Sequence, residues 1–314
     1  MSDNVTLSIA SLHLHPIKSC AGIAVDQAVL IETGFEYDRA WMVVDAHGEF
    51  VSQRELPRMA LVRPTLRAHD LVLRAPGMLA LHLKLDTVEA ACRVRVWDDS
   101  VDAFDMGDLA AQWFSDFLGQ PLRLARFDPD ARRVADAKWT GAVEARTAFS
   151  DGFPLLVTSG ASLAELNRRL AATGETPVTM QRFRPNLVLD GVADAHGEDH
   201  FDTLAIESPD GDVLLQLVKP CGRCTIPDVD PETATQGHAV SDTLAAYRAE
   251  PRIGVNHYNL ACAYSLQKQK DPALAALRAA VDAGFADKKS LNGDSDLTFV
   301  RQAPEFREIA AKIR

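Results

Sequence analysis

The chain has 314 residues, enough for two domains with cores of their own, and an ordinary globular composition: 47% hydrophobic, 25% charged. A net charge of −11 counts against the basic face that nucleic acid requires. No apolar run reaches the roughly 20 residues of a membrane helix, and the five cysteines are too scattered for a disulfide framework. The opening Met1-Ser2-Asp3-Asn4 carries an acid where a signal peptide carries base, so a reduced, cytoplasmic protein with no membrane partner is expected.

From Leu7 to about Val101 the sequence reads as mostly β. Short apolar or alternating runs (Leu7 to Leu14, Val25 to Ile31, Trp41 to Asp45, Val62 to Leu66, Leu71 to Leu73, Leu79 to Leu85, Cys92 to Val96) are broken by turn pairs such as Thr33-Gly34 and Pro76-Gly77. This spacing suits a small barrel or sandwich. Asp108 to Leu118 is a helix, with Leu109, Trp113, Phe114 and Phe117 at helical spacing and Gly119 as its stop. A polar stretch from Asp128 to Arg146 reads as a loop and domain junction.

A buried strand is expected from Phe153 to Thr158, then a helix from Ser162 to Leu170 with Ser162 as N-cap and Glu165 three residues on. Leu187 to Leu189, Leu204 to Ile206 and Val213 to Val218 are further strands, and Thr243 to Ala249 a short helix. Beyond His257 the texture is Ala/Leu-rich. Helices are expected over Tyr258 to Leu266 and Pro272 to Val281, the second ended by Gly284, with a third from Pro304 to the end. The tail resembles one tetratricopeptide unit, which cannot bury its own apolar face and so must dock elsewhere.

The chemistry concentrates in Lys219-Pro220-Cys221-Gly222-Arg223-Cys224, where a strand opens into a loop. Neighbouring cations favour thiolate, the form that binds a soft metal or attacks. As half a zinc site the pair lacks a second pair, and as a thioredoxin-type pair it should open a helix, which Thr225-Ile226-Pro227 does not. Two buried structural cysteines remain the bland alternative.

Other motifs accompany this one. H-P-I-K-S-C-A-G-I from His15, Asp38-Arg39-Ala40-Trp41 and Q-R-E-L-P-R from Gln53 resemble the N-terminal barrel domain of MOSC proteins. F-P-L-L-V-T-S from Phe153, R-F-R-P-N-L-V from Arg182 and K-P-C-G-R-C followed by D-V-D-P-E-T resemble the MOSC domain itself. The arrangement is similar to YcbX-like bacterial proteins and the mitochondrial amidoxime-reducing component, from about Leu7 to Gly254.

The resemblance implies an α+β, mostly β fold: an N-terminal barrel domain over 1–127, a MOSC barrel domain over 128–254 and a helical tail over 255–314. It implies a molybdenum cofactor, with Cys224 as metal ligand and catalytic residue; nothing in the residues alone selects Cys224 over Cys221. Lys18, Ser19, Arg39, Arg184, Asn186, Gly222 and Arg223 would hold the phosphate-bearing pterin, with Ser150, Asp151 and Gly152 as weaker members. The fold family's description as pyridoxal phosphate binding comes with it. Cys20 and Trp41 read as packing and Arg182 as a surface charge, while Asp228 or Asp230 could relay protons or simply build a turn.

The implied reaction is two-electron removal of oxygen from N-hydroxylated compounds. Lacking an iron–sulfur cysteine cluster, the chain would take electrons from a separate flavin reductase, ferredoxin-like protein or b-type cytochrome. Two alternatives stand beside it: a sulfur carrier with a persulfide on Cys224, and a non-catalytic scaffold whose tail binds a protein. After Arg252-Ile253-Gly254 the family's last strands look missing, so the helices from Tyr258 to Val281 are expected to cover an open sheet edge.

Overall fold

A computed structural model describes residues 5–248, 261–262, 264–266, 268–282, 285 and 287–313, the side chains of 289, 290 and 295 excepted. The chain forms two compact units. The first is Met1–Glu165, Thr179–Pro220 and Pro231–Ala234; the second is Leu166–Val178, Cys221–Asp230 and Thr235–Arg314. The boundary expected after residue 254 and four of the nine residues of the helix expected over Tyr258 to Leu266 lie outside the described residues, as does Gly284; residues 261, 262 and 264–266 are helical.

The first unit is built on open sheets. The strand Ser8–Leu14 lies in a four-stranded sheet between Ile23–Val25 and Leu187–Asp190, with Val157–Ser159 parallel at the outer edge. Residues from the start of the chain therefore pair with residues almost 180 positions later: Leu12 faces Leu187 and Ser8 faces Asp190. A second sheet runs Trp41–Val44, Arg123–Phe127, Asp99–Asp105, Ala90–Val96, and a third joins Arg63–Leu66, Asp70–Arg74 and Leu81–Lys84. Strands and helices coexist as expected, and no sheet closes on itself among the described residues.

Besides the two-residue strand Gly34–Phe35, two strands escape the sequence pattern. Asp99–Asp105 buries Val101 and Ala103, but the acids Asp99 and Asp105 occupy the same alternate positions at the strand's two ends and hide the pattern. Arg123–Phe127 fills the gap between it and Trp41–Val44. The strand expected from Phe153 starts only at Val157. Pro154 has no N–H to offer a ladder.

The helix Gly107–Leu118 agrees with its expected bounds within one residue, and Gly119 at φ 79° ends it, its N–H donating to the Ser115 carbonyl at 2.8 Å. Trp113, Phe114 and Phe117 enter a core with Trp41, Leu71, Leu73 and Leu124. Leu109, assigned to the same face, is 72% exposed, because one residue's rotation of 100° carries it past the edge of the stripe. The next long helix spans Gly160–Ala172 rather than starting after Ser162. Its cap is Ser159, whose Oγ accepts the Ser162 N–H at 3.1 Å; Ser162 lies inside the helix, and both serines donate to the buried Glu198.

In the second unit, helices Lys270–Asp282, Lys288–Gly293 and Pro304–Ala311 bury one another's apolar faces. Leu274, Leu277, Leu291, Leu297, Val300, Phe306 and Ile309 form this core with Ala261 and Cys262. The tail thus buries its own apolar face, contrary to the expectation for a single repeat, because the third helix and the turns before it close over the first two. Helix Ala239–Tyr247, four residues earlier than expected, belongs to the same unit. No helix among the described residues is long and apolar enough to cross a membrane.

Candidate functional site

The pairing of Ser8–Leu14 with Leu187–Asp190 sets the loop His15–Ala21 against Arg184-Pro185-Asn186. The His13 N–H donates to the Asn186 carbonyl at 2.9 Å, and His15 Nε2 lies 3.0 Å from the Pro185 carbonyl. The segment Asp38–Trp41 ties into the same place. Asp38 Oδ1 accepts the His15 N–H at 2.6 Å, Arg39 N–H reaches the His15 carbonyl at 2.9 Å, and Lys18 N–H the Trp41 carbonyl at 2.8 Å. Distant motifs therefore meet because two strands share a ladder.

Ser19, Arg39 and Arg184 all adopt left-handed backbone, at φ 66°, 48° and 55°. Such conformations cost non-glycine residues about 1 kcal/mol or more each and gather at sites that need unusual side-chain directions. Arg39 Nη1 donates to Asp38 and, at 2.8 Å, to Asn186 Oδ1, while Nη2 donates to the Arg184 carbonyl at 2.8 Å. Asn186, 1% exposed, also accepts the Leu156 N–H and donates to the His13 carbonyl, so its amide acts as a hub holding Arg39. Arg184 Nη1 donates to the Cys20 carbonyl; its Nη2 is buried with no partner among the described residues. Burial first, then the charge of Arg39, pushes the Arg184 guanidinium down to about 10, still protonated at neutral pH.

Lys18 and Arg133 organise the facing loop. Lys18 Nζ donates to the Phe149 carbonyl at 2.8 Å and to Asp151 Oδ1 at 2.5 Å. Arg133 Nη1 binds the carbonyls of Ala148 and Ser150 at 2.8 and 2.6 Å, and its Nε pairs with Asp99 at 2.8 Å. Ser150 is buried between them with its Oγ unpartnered. Burial lowers Lys18 and raises Asp151; the ion pair opposes both, and Asp151 ends below the usual carboxylate range. The Asp151 carboxylate is 64% exposed, so water screens much of that pull. Trp97 Nε1 also reaches Asp151, at 3.1 Å, with the Arg54 guanidinium 4.8 Å from the Trp97 ring.

Lys18, Arg39, Arg54, Arg133 and Arg184 outnumber Asp38, Asp99 and Asp151 in a chain of net charge −11. A partly buried cluster with surplus positive charge can hold an anion. The resemblance pointed to Lys18, Ser19, Arg39, Ser150, Asp151, Arg184 and Asn186; hydrogen bonds within the first unit link six of them, and Ser19 is buried next to Lys18 in the chain. Sequence reasoning missed Arg54, Trp97 and Arg133. Arg133 fell in the stretch read as loop, between Arg132 and Val134, where nothing in the local pattern marked it. Cys20 and Trp41 are packed as expected, both 0% exposed, and burial pushes the Cys20 thiol up to about 12.

The second unit carries Cys221-Gly222-Arg223-Cys224. The strand Val213–Gln216 ends five residues before Cys221, so the pair does follow a strand into a loop. Cys221 and Gly222 are exposed, Arg223 and Cys224 half-buried. Thr225 is buried with an unpartnered Oγ1, and the turn Ile226–Asp228 follows directly. Asp228 is 3% exposed, and burial pushes its carboxyl up to about 6 against the pull of Ser241. In the first unit the Lys219 ammonium lies 5.0 Å from the Trp139 ring and 5.8 Å from the Phe153 ring.

Fold and sequence together define a two-part MOSC protein: the MOSC N-terminal beta barrel domain matches residues 6–121, and the MOSC domain residues 144–270, beyond Gly254 where the motifs ended. The chain belongs to the MOSC family that includes the mitochondrial amidoxime-reducing components. It is 36% identical over 254 residues to human mitochondrial amidoxime-reducing component 1, covering 77% of this chain and 72% of that protein. It is 35% identical over 251 residues to cattle mitochondrial amidoxime reducing component 2, with the same coverage. Human molybdenum cofactor sulfurase is 29% identical over 268 residues, covering 80% of this chain and 29% of that protein.

Proposed function

We propose that the protein is a molybdenum-cofactor-dependent oxidoreductase that removes oxygen from N-hydroxylated compounds such as amidoximes and N-hydroxylated bases. The observation that carries the reading is the surplus of positive charge around Arg184 Nη2 and Ser150 Oγ, two buried polar atoms without partners, in a relative of the amidoxime-reducing components. A phosphate-bearing pterin fits those donors, since each enclosed N–H or O–H needs an acceptor. Arg184, Lys18, Ser19 and Ser150 would hold it, with Arg39 oriented by Asn186 and Lys18 by Asp151. Cys224 would bind the metal through a soft thiolate, with Gly222 and Arg223 beside it. When bound, the cofactor supplies the two-electron redox chemistry.

Reducing an N–OH group to N–H consumes two electrons and two protons and releases water. The chain's residues bind, orient and keep positive potential around the anionic group; the electrons come from a separate donor protein of flavin, iron–sulfur or b-type haem chemistry. Kinship with molybdenum cofactor sulfurase supports a second reading, in which Cys224 carries a persulfide as a sulfur carrier. Metal and pterin analysis of the wild type beside Cys224→Ser, with an amidoxime reduction assay, decides between them. Equal amounts of molybdenum and pterin in the wild type, with activity falling to background in Cys224→Ser, support the reductase. Sulfane sulfur on Cys224 without metal supports the carrier and ends the first reading.

A further inference from the structure

Asp228 lies four residues past Cys224 and ties the cysteine's loop to a helix of the second unit. Its N–H donates to the Thr225 carbonyl at 3.0 Å, closing the turn that opens just after Cys224, and its carbonyl accepts the Gly237 N–H at 3.0 Å. The carboxyl group turns to helix Ala239–Tyr247. Oδ1 accepts the Ser241 N–H at 3.1 Å, and Oδ2 accepts from Ser241 Oγ. That helix is braced in turn, with the Arg169 guanidinium 3.9 Å from the Tyr247 ring.

Among the described residues, two other titratable groups act on Asp228 or face it. Asp242, on the same helix, repels it; Asp242 itself lies 2.5 Å from His238 Nδ1. Tyr264 faces both acids, and its hydroxyl is pushed up by burial and then by Asp242 and Asp228. Ser241 is the group that most favours the carboxylate, and burial outweighs it.

We propose that Asp228 is a positioning residue for Cys224: its carboxyl, enclosed against Ser241, holds the cysteine's loop closed while it is neutral, and the loop yields when the carboxyl ionises because burial penalises the charge more than the two Ser241 bonds favour it. This rests on the reading of Cys224 as the metal-binding thiolate. A carboxyl that titrates at about 6 in the closed loop and at 3.8 in water favours the closed loop when protonated. As pH rises from 4 to 7 the opened loop becomes more populated, by up to about a hundredfold, and levels off above. A half-buried cysteine that must receive a bulky cofactor gains from a loop that yields at neutral pH.

Hydrogen exchange of the segment 221–241, corrected for the pH dependence of the exchange chemistry, tests this on the full chain made in cells lacking the cofactor. The wild type should open increasingly between pH 4 and 7, with a midpoint near 6. Asp228→Asn keeps both bonds to Ser241, its amide oxygen accepting the N–H and its NH2 donating to Oγ, and should stay closed across the range. Ser241→Ala removes a bond that favours the ionised form and should move the midpoint upward. A flat wild-type profile, an Asp228→Asn profile that follows the wild type, or an unmoved Ser241→Ala midpoint overturns the latch. Molybdenum and pterin content of protein from ordinary cells is measured alongside. Its absence would end the reductase reading, while the exchange profile still decides the latch by itself.

Discussion

Arg184 is the residue on which the anion-holding capacity of the first unit turns. One arm of its fork is committed to the Cys20 carbonyl, and the other is enclosed without a partner. Lysine can replace one of those arms but not both, because its charge sits at a single point. Arg184→Lys should therefore leave the protein folded, lowering stability by about 1–3 kcal/mol for the weakened bond to Cys20. Pterin retention should fall at least about tenfold, the worth of one charge-assisted bond. Retention equal to the wild type, read by pterin release and fluorescence, would show that the enclosed Nη2 is not a ligand contact. At this scale the residues alone said little: Lys18 by itself reads as a solvated surface charge, and only the family resemblance marked it, yet it is 6% exposed and bonded to Asp151. The sequence was silent on Arg133, whose Nη1 binds the carbonyls of Ala148 and Ser150 and whose Nε pairs with Asp99, 34 positions away; a backbone acceptor leaves no trace in side-chain identity, and no local spacing marks a distant acid.

Ser159 shows how an element is fixed by a residue the pattern undervalues. It is the last residue of strand Val157–Ser159 and the cap of helix Gly160–Ala172, and it donates to Glu198, 2.8 Å away. Ser159→Ala removes the cap and one partner of a buried carboxylate, at a cost of about 2 kcal/mol. Urea denaturation should show a lower midpoint with an unchanged slope, whereas a loss below about 0.5 kcal/mol would mean the cap is dispensable. Ser162 was the more visible candidate because Glu165 follows at capping-box spacing, yet the strand ends directly into the helix and the cap moves back three residues. Local elements such as Gly107–Leu118 were legible because one apolar stripe and one glycine suffice to define them. The pairing of Leu12 with Leu187 was not, since strand partners are chosen by packing across the chain and no local spacing encodes them. That pairing is what assembles the site.

At the scale of the whole molecule, two buried groups tilt stability with pH in opposite directions, one in each unit. His15, in the first unit, is held well below the usual histidine range by burial and then by the charges of Arg184 and Arg39. The unfolded chain therefore binds a proton that the folded unit refuses, and stability falls as pH drops below the ordinary histidine value of 6.5, by up to about 1.4 kcal/mol per pH unit. Asp228, in the second unit, is raised to about 6, so the folded unit holds a proton that the unfolded chain has released. Its contribution is fully present below 3.8 and is lost as pH rises through about 6. Between pH 5 and 6 the two slopes oppose each other, and a global measurement would understate both. Hydrogen exchange separates them: protection of Ser8–Leu14 should rise with pH over this interval, and that of Ala239–Tyr247 should fall. His15→Gln, whose amide can still donate to the Pro185 carbonyl, should flatten the first trend and leave the second untouched. If both segments moved together in that variant, the two groups would not be acting within their own units and the opposing-slope account would fail.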